Sequence, residues 1–183
     1  KIICIGDIHG DLLATIQCLR KVNLINKKGN WIGGNKYVVQ IGDVLDRGGR
    51  DYGHEDEASE LKIMNLFNKL DYQAQKVGGR VFCLLGNHEI MNTMNIFDYV
   101  SPNGLKAFGG KIGRRRMFAP GGQMSQMMAL SRFAILKIND VLFVHGGINN
   151  YISNNYTLNQ INYLMRLYLM GQGSLINNKE FQK

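Results

Sequence analysis

The sequence is poor in the residues that would indicate a membrane protein or a disulfide scaffold. Its 183 residues include three cysteines, two prolines and one tryptophan. No apolar run approaches the roughly 18 residues needed to span a bilayer, so no membrane partner is expected. Cys4, Cys18 and Cys83 are odd in number and far apart, which predicts buried free thiols in a reducing, cytoplasmic compartment.

What remains is the composition of a globular domain. Hydrophobic residues make up 45% and charged residues 20%, which predicts a single domain over residues 1–183. The net charge of +8 is unevenly spread, because half of the acidic residues lie between Asp43 and Glu60. The basic stretch at 114–116 is interpreted as a solvated surface run. Its alternatives are a nucleic-acid site or a second phosphate-binding arginine.

Short apolar runs alternate with helical patterns. Alternation of this kind predicts an α/β fold with helices outside a mixed sheet. Four of the predicted strands end next to a polar cluster, and ligand sites in open α/β sheets form at the carboxyl ends of strands. We therefore expect the clusters to converge. Strands are predicted at 2–5, 37–41 and 80–85 and in a hairpin of 133–138 with 141–144, and helices after Asp11, at 59–76 and at 157–170.

The four polar clusters hold three of the chain's four histidines. One such cluster alone would be interpreted as an ordinary turn. Four clusters along the chain, each directly after an apolar run, indicate a metal-binding site. Their side chains offer oxygen and nitrogen without thiolate, a ligand set that suits Mn, Fe or Zn. The clusters lie at 6–10, 42–48, 86–89 and 145–147, and their candidate ligands are Asp7, His9, Asp43, Asn87 and His145.

These motifs resemble those of the calcineurin-like metallophosphoesterases. The stretches DRG at 46–48 and GNHE at 86–89 are similar to those of the PPP-type protein phosphatases. Within that group, GNHEIMN at 86–92 and FAPGG at 118–122 resemble the bacterial-type, Shewanella-like phosphatases. The resemblance runs from residue 2 to about 148. It implies a calcineurin-like sandwich of mixed β-sheets flanked by helices, with the active site at the carboxyl ends of the strands.

The resemblance also implies a site with two divalent metal ions. Asp7 and His9 would hold the first ion, and Asp43 would bridge both. Asn87 and His145 would hold the second. Two such ions would activate a bridging water as hydroxide and clamp the phosphate oxygens.

The remaining roles are carried over from the same motifs. His88 would be the general acid, Asp46 would orient His88, and Arg47 would bind phosphate oxygens. Glu89 is interpreted as a supporting carboxylate at a helix start rather than a metal ligand. His54 lies outside every motif and is interpreted as a loop residue.

The sequence departs from the family pattern after the His-Gly-Gly cluster. The pattern has a further histidine ligand and a further arginine there, but no histidine follows His145 and the one later arginine is Arg166. We expect the missing C-terminal part of the domain to lie beyond Lys183. The alternative is a natural form with a weakened second metal site.

Three functions remain in competition. The first is hydrolysis of phosphomonoesters by a protein serine/threonine or tyrosine phosphatase. The second is hydrolysis of dinucleoside polyphosphates or other small phosphorylated metabolites, because the motifs read the phosphate and not the group attached to it. The third is a non-catalytic, metal-stabilised module that binds nucleic acid through Lys111 and the basic stretch at 114–116. Few aromatic residues lie near that stretch, which disfavours the third.

Overall fold

The computed structural model describes residues 1–50 and 58–173. His54 and most of the acidic segment after the DRG motif lie outside the described residues, as does the tail from 174 onward. No helix in the described ranges is long and apolar enough to cross a membrane.

A parallel sheet carries three of the four polar clusters at one edge. Its strand order is β1-β2-β3-β4, and every neighbouring pair is parallel. The second strand is buried on both faces, since Val38 and Val39 are adjacent and both 0% exposed. Its strands are β1 (Ile2–Ile5), β2 (Tyr37–Gln40), β3 (Arg80–Leu84) and β4 (Arg132–Phe133).

A separate antiparallel hairpin carries the fourth cluster. It comprises β5 (Ile135–Ile138) and β6 (Val141–Val144). The sequence predicted one strand over 133–138, but the structure divides it, because β4 joins the parallel sheet and β5 joins the hairpin. The chain leaves the sheet at Ala134, where Asn162 Oδ1 accepts from the backbone N–H groups of Ala134 and Ile135 at 2.8 and 3.2 Å.

The helices predicted from apolar periodicity are confirmed within two residues. Asp11 caps the first helix, because its side chain accepts from the Ala14 N–H at 2.8 Å. The helices are α1 (Leu12–Lys21), α2 (Glu60–Gln75), α3 (Asn87–Thr93), α4 (Pro102–Lys106), α5 (Gly110–Phe118), α6 (Gln123–Ser131), α7 (Asn150–Asn155) and α8 (Leu158–Leu169). The five from α3 to α7 were not predicted, because segments of five to nine residues are too short for periodicity to distinguish them.

The two faces of the parallel sheet are covered differently. On one face, Leu19 of α1 and Ile63 and Phe67 of α2 join the main core. On the other face, Val39 and Phe143 belong to a smaller core that the hairpin completes. The predicted α/β architecture is therefore confirmed, with helices on one side of the sheet and an antiparallel pair on the other.

The expectation of three buried thiols is correct for Cys83 and wrong for the other two. Cys83 is buried, whereas Cys4 and Cys18 are exposed. Cys4 lies on β1, at the edge of the described sheet, and Cys18 lies on the side of α1 next to it. Both line an open cleft of about 710 Å³.

Candidate active site

Strained turns bring the polar clusters together where the strands end. Asp7 follows β1, Asp43 follows β2, and His145 follows β6. His9, Asp43 and Asp46 adopt left-handed φ values of 45°, 55° and 70°. Side chains other than glycine seldom adopt this conformation, and such residues concentrate at functional sites. These three residues lie in the loops that follow β1 and β2, where the candidate ligands are found.

The carboxylate of Asp43 is the centre of the site. Its Oδ2 atom lies 3.3 Å from His145 Nε2, 3.9 Å from His9 Nε2 and 3.9 Å from His88 Nε2. Asp7 Oδ2 lies 3.9 Å from His9 Nε2. Asp43 belongs to both groups of side chains whose ligand atoms lie within 4.8 Å of one another, one with His9 and His88 and one with Asp7 and His145. Asp43 is therefore the side chain that the two groups share.

Asn87 completes the set of five predicted ligands. Its Oδ1 atom lies 3.0 Å from His145 Nε2, which in turn faces Asp43. The structure therefore brings all five candidates to one place. Asp7 lies near both His9 and His145, so the geometry does not separate the side chains into two independent groups.

Backbone carbonyls fix the orientation of two imidazole rings. His9 Nδ1 lies 2.8 Å from the Leu45 carbonyl oxygen, and His145 Nδ1 lies 2.8 Å from the Ile41 carbonyl oxygen. A carbonyl oxygen can only accept, so each Nδ1 carries a proton, and each Nε2 is the nitrogen that faces Asp43. Burial lowers the pKa of His9, which favours the neutral ring that a metal ligand requires.

Glu89 ties the loop after β2 to the loop after β3. Its Oε2 accepts from the N–H groups of Asp43 and Gly86 at 2.8 and 2.7 Å, and its Oε1 accepts from those of Val44 and Leu45 at 2.9 and 3.1 Å. Burial raises the pKa of Glu89, while these backbone N–H donors favour its ionised form. Both oxygens of the Glu89 carboxylate are therefore engaged by the backbone of the two loops.

The two loops meet backbone to backbone, which requires glycine. A Cβ atom on Gly42 would lie 2.6 Å from the Gly86 nitrogen and 2.9 Å from His145 Nδ1. Gly42 also has a φ of 103°, in the left-handed region. A Cβ atom on Gly86 would run into the Asp43 carboxylate. The glycines of these motifs therefore let two ligand loops touch.

His88 and Asp46 form the predicted pair. His88 Nδ1 lies 2.8 Å from Asp46 Oδ2, and Asp46 is 0% exposed. The ring of His88 packs edge-on against His9 and Tyr99, with centroid distances of 4.7 and 5.2 Å. Its Nε2 atom faces Asp43 at 3.9 Å. The arrangement presents Nε2 to the ligand cluster and keeps Nδ1 on the buried carboxylate.

Arg47 shares a cleft with two of the candidate ligands. Its Nη1 donates to Asp11 Oδ2 at 3.2 Å, and the cleft of about 710 Å³ is also lined by Asp7 and His9. Arg50, which the sequence interpretation missed, lines the same cleft and donates through Nη1 to two backbone oxygens of the DRG motif, each at 3.2 Å. Two arginines therefore line the cleft beside the carboxylates of Asp7 and Asp11 and the imidazole of His9.

The interpretation of residues 114–116 as a surface charge run is wrong for Arg114. Arg115 and Arg116 are exposed, as expected, but Arg114 is 0% exposed. Its Nε donates to Asn92 Oδ1 at 2.7 Å, and its Nη1 donates to Glu60 Oε2 at 2.7 Å.

The same guanidinium reaches the carboxylate of the His88 pair. Arg114 Nη2 donates to Asp46 Oδ1 at 3.3 Å. One sequence signal could have indicated burial, because Arg114 lies four residues before Phe118 and so shares its face of the helix. Asn92 and Glu60, the partners of Arg114, were not predicted as site residues either.

Comparisons with known proteins agree with these motifs. Residues 1–180 match the family model described as Calcineurin-like phosphoesterase. Shewanella-like protein phosphatase 1 of Plasmodium berghei is 36% identical over 185 residues, which covers 100% of this chain and 48% of that protein. Shewanella-like protein phosphatase 2 of Arabidopsis thaliana is 42% identical over 108 residues, which covers 59% of this chain and 25% of that protein.

Solved structures show the same fold. The cold-active protein-tyrosine phosphatase of a psychrophilic Shewanella species superimposes with a TM-score of 0.74 at 30% identity, over 92% of this chain and 48% of that one. This chain thus spans about half the length or less of these relatives. Both the resemblance and the fold predicted from the motifs are confirmed, and the chain belongs to the calcineurin-like phosphoesterase family.

Proposed function

We propose that this chain is a metal-dependent phosphomonoester hydrolase that acts on phosphorylated serine, threonine or tyrosine in proteins. The observation that carries the proposal is the convergence on Asp43 Oδ2, which has His145 Nε2 at 3.3 Å and His9 Nε2 at 3.9 Å. Relatives named protein phosphatases support the choice of a protein substrate.

The side chains fit two divalent ions. Asp7, His9 and Asp43 would hold the first, and Asp43, Asn87 and His145 would hold the second. The fit rests on the donors themselves, because the Nδ1 atoms of both ligand histidines are taken by backbone carbonyls and their Nε2 atoms are left to face Asp43. Oxygen and nitrogen donors of this kind favour Mn, Fe or Zn. When bound, two such ions supply water activation and charge neutralisation at the phosphate.

The protein's own residues perform the remaining tasks. Arg47 binds phosphate oxygens through its planar fork, which Asp11 directs into the cleft. The doubly protonated ring of His88 donates a proton from Nε2 to the leaving-group oxygen as the bond between that oxygen and phosphorus breaks. The oxygen of a water molecule forms the new bond to phosphorus, and the proton that this water loses passes to solvent. The Nδ1–H group of His88 stays on Asp46 throughout, at 2.8 Å.

Replacement of His88 tests the proposal. We expect His88→Asn to lower kcat on phosphopeptides by about 10²- to 10⁴-fold, the usual contribution of a general acid. Calorimetric titration with Mn²⁺ should give the same affinity as in the unsubstituted protein, because His88 is not assigned as a ligand. Arg115→Met, at an exposed position, is the matched control and should leave both quantities unchanged. Unchanged turnover in His88→Asn would contradict the proposal.

A substrate panel separates the two enzymatic alternatives. Phosphoserine, phosphothreonine and phosphotyrosine peptides are compared with diadenosine polyphosphates at one metal concentration. Higher kcat/KM on the peptides supports the protein phosphatase, and the reverse order supports the small-metabolite hydrolase. The same calorimetry counts bound ions, and a single ion per chain would support a weakened second site.

A further inference from the structure

Arg114 is a buried charge that the proposed chemistry does not use directly. Its guanidinium is fully buried and donates to Asn92, Glu60 and the Gly104 carbonyl, as well as to Asp46. The rings of Phe108 and Phe118 lie 5.2 and 4.8 Å from its central carbon. Such an arrangement holds a planar group in one orientation.

The contacts of Asp46 show what that orientation controls. Its Oδ1 accepts from Asn92 Nδ2 at 2.8 Å and from Arg114 Nη2 at 3.3 Å, which leaves Oδ2 for His88 Nδ1 at 2.8 Å. The backbone N–H of Asp46 donates to Glu60 Oε1 at 2.7 Å. Rotation of the carboxylate would break contacts on both of its oxygens. The hydrogen bonds from Asn92 and Arg114 to Oδ1 therefore fix the direction in which Oδ2 points.

We propose that Arg114 is a positioning residue for the general acid. With Asn92 it holds Oδ1 of Asp46, so that Oδ2 alone accepts from His88. This keeps one proton on Nδ1 and turns Nε2 toward the phosphate site, so that Nε2 is the nitrogen that takes up and then donates the second proton. The inference rests on the proposed function, because it assigns Arg114 a task only if His88 is the proton donor.

The charges around Arg114 explain why the residue is an arginine. Asp46 is 0% and Glu60 2% exposed, so two carboxylates share one buried guanidinium. A neutral residue at 114 would remove the guanidinium that Asp46 and Glu60 share, and breaking a buried ion pair from one side is strongly destabilising. A lysine would keep the charge but could not reach Asn92, Glu60 and Asp46 from one rigid plane.

The first test reads the tautomer of His88 without any catalysis. Two-dimensional ¹⁵N–¹H spectra of the imidazoles are recorded at one pH above neutrality for the unsubstituted protein, Arg114→Met and the exposed control Arg115→Met, with the His88 signals assigned from His88→Asn. We expect the Nδ1–H tautomer in the unsubstituted protein and in the control, and a mixture of tautomers in Arg114→Met. An unchanged Nδ1–H tautomer in Arg114→Met overturns the inference.

The second test uses the leaving group. Phenyl phosphate needs a proton on its departing oxygen, whereas 2,4-dinitrophenyl phosphate does not. We expect Arg114→Met to lose about 10- to 100-fold in kcat on the first, as is usual when the partner of a reacting group is removed. On the second, kcat should change by less than about threefold. Equal losses on both substrates would indicate a merely structural role and overturn the inference.

Two further variants allow the role of Arg114 to be tested even if Arg114→Met does not fold. If Arg114→Met does not fold, the double variant Arg114→Met/Glu60→Gln removes both charges, and neutral replacement of a buried ion pair is often tolerated. His88→Asn is measured beside it on both substrates. If His88→Asn shows no leaving-group dependence, the general-acid assignment falls, and the role of Arg114 with it. If His88→Asn shows that dependence and the Arg114 variants do not, only the role of Arg114 is refuted.

Discussion

Replacing Glu89 with glutamine tests whether one carboxylate organises both ligand loops. Glu89 is 1% exposed and accepts from four backbone N–H groups, two at each oxygen. Glutamine offers one oxygen and one NH₂ group. Its oxygen can accept from one pair of backbone N–H groups, but its NH₂ group must then face the other pair, which are also donors. If the amide oxygen stays with Val44 and Leu45, the N–H groups of Asp43 and Gly86 lose their acceptor.

The expected loss follows from those two donors. An unsatisfied buried donor costs about 2 kcal/mol, so the pair destabilises the fold by about 4 kcal/mol. For a domain of this size, that lowers Tm by about 8–16 °C. Because Asp43 would also lose its fixed position, we expect Mn²⁺ affinity to fall by about 10- to 100-fold. Calorimetric melting without metal and titration with Mn²⁺ measure the two effects separately.

A matched control separates the site from general stability. Asp71 accepts from Arg80 Nε at 2.9 Å and from the Val81 N–H at 2.8 Å, at the start of β3, whereas the ligand loop follows the end of that strand. Asp71→Asn should lower Tm without changing the Mn²⁺ affinity. If Glu89→Gln melts within about 2 °C of the unsubstituted protein, or binds Mn²⁺ as tightly as it does, the reasoning is refuted.

Three more predictions concern Gly42 and the cysteines. Gly42→Ala should abolish tight Mn²⁺ binding in calorimetric titration, because the added Cβ would lie 2.6 Å from the Gly86 nitrogen. Gly6→Ala is the control and should bind Mn²⁺ normally, since no described atom lies within 4 Å of its added Cβ. Equal Mn²⁺ affinity in the two variants would contradict the close approach of the loops. Burial raises the pKa of the Cys83 thiol above its ordinary value of 9.0, so the folded state retains that proton longer than the unfolded chain. The free energy of unfolding should therefore fall as pH rises above about 9, and Cys83→Ala should lack that part of the decline in denaturant titrations. Cys4 and Cys18 should react with a thiol reagent in the folded protein and Cys83 only after unfolding, whereas three equally fast thiols would contradict the burial.

The sequence by itself identified the elements that carry the site. Asp7, Asp43 and Asn87 each follow an apolar run, and strand ends in a parallel sheet share one edge, so their convergence followed from local pattern and the parallel alignment of β1 to β3. The pairing of His88 with Asp46 was expected from family motifs, and the structure places the two atoms 2.8 Å apart.

Contacts between distant parts of the chain decided the rest. In the sequence, Arg114 is one of three successive basic residues. Its burial depends on Glu60, which lies 54 positions earlier, and on Asp46, which lies 68 positions earlier. Cys4 reads as a core residue of an apolar strand, yet that strand is at the edge of the described sheet. Periodicity reports which side of an element is apolar, but it does not report what covers that side. Whether a charge is solvated or neutralised in the interior is therefore fixed only when the elements pack together.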